Sequence, residues 1–546
     1  MDQQNRMTGG DALVQSLIQH GVDTLFGIPG VQTYSLFDAL HRNEEHIKVI
    51  TPRHEQTTAY MALGYAKSTG RIGTFSVVPG PGILNAAAAI CTAHGVSAPI
   101  LGITGQVPSD FIGSGKGHLH ELPDQLATMR SITKWAARIE HPGQVPEIMD
   151  DAFRQLQTGR PRPVVVEMPW DVFTASAPIP PAHPAAASPQ IEPDPDLIAK
   201  AAALLKDARN PMIMVGSGAQ HAAAEVQALA EQLQAPVVSW RGGRGIVADD
   251  HSLGFTCASG FKRWAETDAV IGIGSRLELL WFRWPRLGKH RALINIDIDP
   301  VQMTRLKPTV GLVGDSARTC RELLEKVRSL GIVHSSRQAE FSALKQQTHE
   351  EIAAITPHVQ YLSAIREVLP RDGFFVEEVC QTGFTSFFGF PVYAPRTFVT
   401  AGHQGTLGFG FPTALGVKAG NPDKCVVSIT GDGGFLFGLQ DLITAVQHGI
   451  NLVTVVFNNN AYGNVRRDQQ RLFQGRVIGS ELQNPDFIKL AESFGVAGYR
   501  VDTPAGLRST LEKAFALDAP ALIEVPLDRS TETSPWPFLM PTPNPA

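Results

Sequence analysis

Between Cys425 and Gly463 the chain alternates in a way that leaves few folds open. CVVSIT is a β-branched run, GDGG breaks it, LQDLITAVQHG has helical spacing and ends on Gly449, and NLVTVVFNNN is a second β-branched run. A strand, helix and strand in so short a stretch form a crossover, which implies a parallel sheet with ligands at the carboxyl ends of its strands. Both polar clusters of the stretch fall there, Asp432 just past the first strand and Asn459 just past the second. One carboxylate and one amide are hard oxygen donors, poor for zinc and suited to a magnesium ion that keeps diphosphate oxygens and water as its other ligands. Gly431, Gly433 and Gly434 let backbone N–H groups approach a phosphate, and the helix behind them adds its positive end.

At 546 residues the chain is too long for one core, and its size suggests three domains. A net charge of −5 gives no electrostatic case for nucleic acid or a membrane surface as partner. The five cysteines have no CxxC spacing, which argues against disulfides and zinc and for a reducing cytosol. The first residues, MDQQNRMTGGD, lack the apolar core of a signal peptide, and no run is long enough to span a membrane, so a cytoplasmic location is expected.

In chain order, Thr8 to His20 reads as a capped amphipathic helix, VDTLFGIPG as a strand entering a tight turn, and IKVITPRHEQ as a second strand with polar residues at its end. Glu55 closes that strand; its plainer reading is a solvated glutamate opening the next helix. FSVVPGPGILNAAAAICTAHGVSAPILGITGQ holds two more strands and a small-residue helix, whose alanines 86 to 89 allow close packing on a helix or subunit. GSGKGHLHELPDQ is an irregular glycine-rich loop carrying His118 and His120, either a binding loop or a plain surface loop. A proline-rich linker follows, then a second α/β unit in which Gly216 and Gly218 form a GSG lacking the rest of a dinucleotide fingerprint. The closing SPWPFLMPTPNPA, with its prolines, is expected not to be helical, and is either a disordered tail or a strap over the cleft.

The GDG…NN constellation resembles the thiamine-diphosphate (ThDP) signature, and HEQ, PGPG, Asn85 and GQV resemble the pyrimidine-binding domain of the acetolactate synthase group. The resemblance covers almost the whole chain and implies an α/β fold of three doubly wound parallel-sheet domains. These are a pyrimidine-binding domain at 1–175, a linker at 176–196, a middle domain at 197–345, a diphosphate-binding domain at 355–533 and a proline-rich tail at 534–546. It makes Asp432 and Asn459 side-chain ligands of Mg2+ and Ala461 a ligand through its carbonyl. Pro29, Gly405, Gly431, Gly433, Gly434, Tyr462 and Gly463 become cofactor-binding residues, and Leu407 of GTLGFG the wedge under the bent cofactor. Glu55 becomes the glutamate on an aminopyrimidine ring nitrogen, where a carboxylate sharing a proton promotes the tautomer that ionises the thiazolium carbon. Gln106 and either His118 or His120 are expected to face the substrate.

The implied activity is that of an acetolactate synthase-like lyase or transferase, making or breaking the C–C bond beside a carbonyl through decarboxylation of a 2-oxo acid to an enamine. Leu280 and Asp468 stand where the synthases carry an acceptor-gripping arginine and a tryptophan, with Arg283, Arg466 or Arg467 as candidate compensation. HLHELPDQ and NNNAYG also look like a branch decarboxylating larger 2-oxo acids, so a non-synthase decarboxylase or a 2-hydroxyacyl lyase is the alternative. A flavin-linked oxidase and a non-catalytic ThDP-binding relative are weighed as well. Arg276 keeps a family arginine, but FTCASG departs from the flavin-lining segment and counts against FAD. Because Glu55 and Asp432 must touch opposite ends of one cofactor, the resemblance implies a homodimer or a dimer of dimers with the site between subunits.

Overall fold

A computed structural model describes residues 6–181, 191–284 and 291–541. Part of the expected linker (182–190) and the last residues of the tail (542–546) lie outside the described residues. Three six-stranded sheets, every pairing in them parallel, carry the fold, with helices between successive strands. Most strands are short and buried throughout, Val164–Pro169 and Val453–Asn458 among them, as sheets covered on both faces require. A small antiparallel pair, Arg6–Thr8 with Ser176–Pro178, ties the two ends of the first unit together.

The first sheet runs Lys48–Ile50, Thr24–Gly27, Gly73–Val77, Ile100–Gln106, Val164–Pro169, Trp135–Arg138, and the third runs Phe398–Val399, Phe374–Val376, Val426–Gly431, Val453–Asn458, Ala521–Pro526, Ala497–Arg500. Numbered within each unit, both have the order 2-1-3-4-6-5. The middle sheet runs Gly254–Phe255, Val237–Ser239, Pro211–Val215, Ala269–Ile273, Ala292–Asp297, Val310–Val313, which is 3-2-1-4-5-6. The middle order reverses direction once and the other two reverse beside their first strand and again beside their sixth, and such switch points open a crevice at the strands' carboxyl ends. In the third sheet the switch beside the first strand lies between Phe374–Val376 and Val426–Gly431; in the middle sheet the switch lies between Pro211–Val215 and Ala269–Ile273.

The expected amino-terminal helix is Gly9–Gln19, with the Thr8 hydroxyl accepting from the Asp11 N–H at 3.1 Å. The small-residue helix Pro81–Val96 buries Ala86 and Ala89 and packs on the helix Glu55–Thr69. That second helix also packs against Gly410–Gly420 of the third unit so closely that a Cβ on Gly64 would strike the Thr413 carbonyl oxygen, and one on Gly416 that of Met61. Two readings need correction. The strand before Glu55 spans only Lys48–Ile50, and Glu55 itself opens the next helix. The tail is not free of helix: Trp536–Leu539 makes one turn, because a proline in the first turn forfeits an N–H that would be unpaired anyway.

Candidate active site

At the third sheet's switch point lies a cavity of about 300 Å3, lined by Gly405, Leu407, Gly431, Asp432, Gly433, Gly434, Asn459, Ala461, Tyr462 and Gly463. Helices begin on it at His358, Gln381, Asp432 and Gly463. Gln381–Gly389 starts from Cys380, and Gly463–Leu472 starts from Tyr462 with no side-chain cap. Uncapped N–H groups of a helix start are a ready cradle for an anion. Gln381 lines the cavity with a buried Oε1 that lacks a hydrogen-bond partner.

Asp432 is buried, and burial pushes its carboxyl up against the opposing Asn484 hydrogen bond. Asn484 Nδ2 donates to Asp432 Oδ2 at 2.6 Å and also reaches the side-chain oxygens of Asn458 and Asn460. Asn459 donates its own Nδ2 to Glu532 Oε1 at 2.9 Å, leaving its Oδ1 free of that contact. Among the described residues no three His, Cys, Asp or Glu side chains gather as a metal site. The donors here are instead oxygens of a carboxylate, an amide and the Ala461 carbonyl, a set that fits a hard cation completing its shell with diphosphate and water.

Leu407 is held on its loop by two fully buried glutamates. Glu378 accepts the N–H groups of Phe409 at 3.2 Å and Gly410 at 2.8 Å, and Glu377 accepts from the Thr400 hydroxyl. Burial pushes both carboxyls up to about 7.

The remaining expected residues do not line this cavity. Glu55 is half-buried at the start of its helix and accepts Asn85 Nδ2 at 2.9 Å. Pro29 is exposed in its turn, and the buried Gln106 turns its Oε1 back to the Val107 N–H at 2.8 Å. His120 adopts φ +65° with Nδ1 3.0 Å from Gln32 Oε1, whereas His118 rests on the Phe111 ring at 4.7 Å. Two N–H donors, from Gly115 and His118, fold the loop around the Glu121 carboxylate. Of the arginines weighed as compensation, Arg283 is taken up by Glu278 at 2.8 Å and Arg466 by Glu481 at 3.2 Å. Arg467 bonds Ser534 at 2.6 Å and Asn464 at 2.7 Å.

Sequence reasoning missed Asn484, Glu532 and His358. Each is a single polar residue delivered from outside the motifs, with no spacing rule to mark it. A second crevice, about 370 Å3, opens at the middle sheet's switch point between Gly216 and Gly274 and is lined by Arg160, Arg276 and Arg305. Burial, with Arg160, Arg162 and Arg305 nearby, pushes the Arg276 guanidinium down to about 10. Among the described residues no helix is long and apolar enough to cross a membrane.

Comparison with known proteins adds to this geometry. The N-terminal TPP binding domain of thiamine pyrophosphate enzymes matches residues 7–128, their central domain 198–323 and their C-terminal TPP binding domain 379–525; thiamine pyrophosphate is another name for ThDP. A probable 2-ketoarginine decarboxylase of Pseudomonas aeruginosa is 34% identical over 539 residues, covering 96% of this chain and 95% of that protein. The acetolactate synthase large subunit of Haemophilus influenzae is 32% identical, covering 97% of this chain and 96% of that protein. A probable acetolactate synthase large subunit of Methanococcus aeolicus is 31% identical, with coverages of 97% and 93%.

Proposed function

Because this chain belongs to the thiamine pyrophosphate enzyme family, we propose that it is a ThDP- and Mg2+-dependent decarboxylase of a 2-oxo acid larger than pyruvate. The observation that carries the cofactor reading is the convergence of Asp432, Asn459, Ala461 and Leu407 with the helix starts at Gln381 and Gly463 on one crevice. Decarboxylase rather than synthase is favoured by Leu280, a buried aliphatic residue where the synthases carry their acceptor arginine, and by the engagement of Arg283, Arg466 and Arg467 elsewhere. The identity to a protein named as a 2-ketoarginine decarboxylase points the same way.

In this reading Asp432, Asn459 and the Ala461 carbonyl hold the metal, and the helix starts at Gln381 and Gly463 take the diphosphate. Leu407, which lines the cavity, would pack against the bound cofactor. Glu55 shares a proton with the aminopyrimidine nitrogen, and one of His118 and His120 donates to the substrate carboxylate. When bound, ThDP supplies a carbanion nucleophile and an electron sink for the bond that breaks. The Glu378 and Glu377 hydrogen bonds keep the Leu407 loop from relaxing, which is pre-organisation in a water-poor pocket. Glu55 does not line the Asp432 cavity of its own chain, and this supports a homodimer or dimer of dimers in which a partner subunit completes the site. The domain division given above is part of the reading, as is a cytoplasmic location, for which the five unpaired cysteines speak.

The test incubates the protein with ThDP, Mg2+ and a panel of 2-oxo acids, including pyruvate and a guanidino-bearing acid, while CO2 and carbon products are followed. CO2 and the matching aldehyde from a longer acid are expected; acetolactate from pyruvate alone overturns the decarboxylase reading. The arginine-lined second crevice is the observation that keeps a flavin-linked reading in view, and a yellow preparation with a flavin spectrum would favour it.

A further inference from the structure

After the last strand pairing of the third sheet, the chain crosses back over the loop that bears Asn459, and its crossing is braced at several points. The Thr533 N–H donates to the Thr356 carbonyl at 2.8 Å, Arg467 donates to the Ser534 hydroxyl at 2.6 Å, and the Trp536 indole N–H donates to Asn464 Oδ1 at 2.9 Å. Leu539 is buried beyond them. This segment carries Glu532 into the lining of the cofactor cavity, where its side chain is only 10% exposed. Glu532 Oε1 accepts Asn459 Nδ2 at 2.9 Å. Its Oε2 faces His358 Nε2 at 3.5 Å, and His358 is fully buried with Nδ1 3.0 Å from the Thr382 hydroxyl.

An amide has a donor end and an acceptor end, whereas an ionised carboxylate only accepts. A carboxylate on one side of Asn459 therefore fixes its NH2 group there and turns its oxygen to the opposite side. We propose that Glu532 is a positioning residue that sets the Asn459 amide with its oxygen toward the bound metal. The inference rests on the reading of Asn459 as a metal ligand. It has a counterpart on the other candidate ligand, where Asn484 Nδ2 donates to Asp432 Oδ2 at 2.6 Å. Without Glu532 the amide is free to rotate and present its NH2 to the cation. Partners that orient metal ligands in this way are typically worth about 10–100-fold in metal affinity.

The experiment titrates Mg2+ into full-length protein freed of cofactor, at fixed ThDP, and reads ThDP uptake calorimetrically. In Glu532→Leu the Mg2+ concentration for half-maximal uptake should rise by about 10–100-fold, while the Tm of the cofactor-free protein stays near wild type. Glu532→Gln keeps an acceptor oxygen for Asn459 and should shift that midpoint by less than about threefold. In an Asn459→Asp background there is no amide to orient, so adding Glu532→Leu should no longer weaken Mg2+ binding. Equal losses in the Leu and Gln variants would assign Glu532 a charge or direct-ligand role and overturn the proposal, as would an unchanged midpoint in Glu532→Leu. A wild type that takes up no ThDP with Mg2+ sinks the site reading together with this inference. Normal wild-type uptake beside an unaffected Glu532→Leu sinks the inference alone.

Discussion

The two crevices are built on the same plan and carry opposite chemistry. Each sits where a parallel sheet reverses its winding, and each is walled by glycines that let loops approach closely. At the third sheet the lining supplies acceptors, with Asp432, Asn459 and the Ala461 carbonyl beside helix starts. At the middle sheet it supplies mainly cations, with Arg160, Arg276 and Arg305 near one another; among the described residues Arg160 pairs with Asp299 at 3.0 Å, and Arg241 of the same lining with Glu278 at 3.4 Å. Where the side chains are acceptors, a diphosphate held at the helix starts still needs a dication to bridge it to them. A cation-lined crevice can take an anion directly. Fold alone does not decide what a switch point binds; the side chains brought to its rim do.

The largest effect is expected from Asp432→Ala. It should abolish Mg2+-dependent ThDP uptake and lower kcat/KM by about 10^3-fold or more, measured by calorimetry and steady-state assay, while pyrophosphate added without metal still raises Tm through the middle crevice. Loss of both responses would break the division between them. Next comes Glu55→Gln, for which kcat should fall by about 10^2–10^4-fold with ThDP uptake little changed, as removal of an acid–base group implies. Arg276→Met should remove the Tm rise with pyrophosphate. It should also stabilise the free protein at low salt by about 1 kcal/mol, after discounting for solvent screening, because it removes the cost of burying the guanidinium and relieves repulsion among neighbouring arginines.

The smallest expected effect concerns pH. Glu377 and Glu378 stand at about 7 in the folded chain against 4.5 for the free side chain. Between those values the folded state keeps protons that the unfolded state has lost, so their contribution to stability is full below 4.5 and falls as pH rises toward 7. His358, pushed down to about 4 by burial, contributes the opposite slope between 4 and 6.5. The glutamates are therefore read most cleanly near pH 7. Urea midpoints for Glu378→Gln should fall less between pH 6.5 and 7.5 than those of the wild type.

What could be read from the sequence follows from where each residue sits relative to its strand. Asp432 and Asn459 were legible because both lie at the ends of adjacent strands joined by a single crossover, so a local pattern carries a spatial fact. Leu407 was marked only by the likeness of GTLGFG to the family motif, not by a strand end. The roles of Asn484 and Glu532 were not legible, since loop residues return to the site from distant stretches and nothing local marks them. Pro29, Glu55, Gln106 and the two histidines share the first sheet's end of the chain, and the sequence gives no distance from there to Asp432. The turn Trp536–Leu539 was misjudged because prolines were treated as breakers at every position, although Pro537 falls in the first turn, where no intrahelical N–H bond is lost. The middle sheet's 3-2-1-4-5-6 order was equally hidden, since GSG alone does not reveal which strands become neighbours.

The contact between the helices Glu55–Thr69 and Gly410–Gly420 has a practical corollary. Where Gly64 and Gly416 let backbone lie on backbone, no side chain remains to be trimmed into a polar surface, so neither helix has an outward version of that face. Excising the third unit for separate expression would bare a flat, glycine-smoothed strip of main chain and apolar side chains to water. Such a fragment should precipitate or recruit its missing half, and complementation of two co-expressed pieces is a more promising dissection of this chain than any isolated domain.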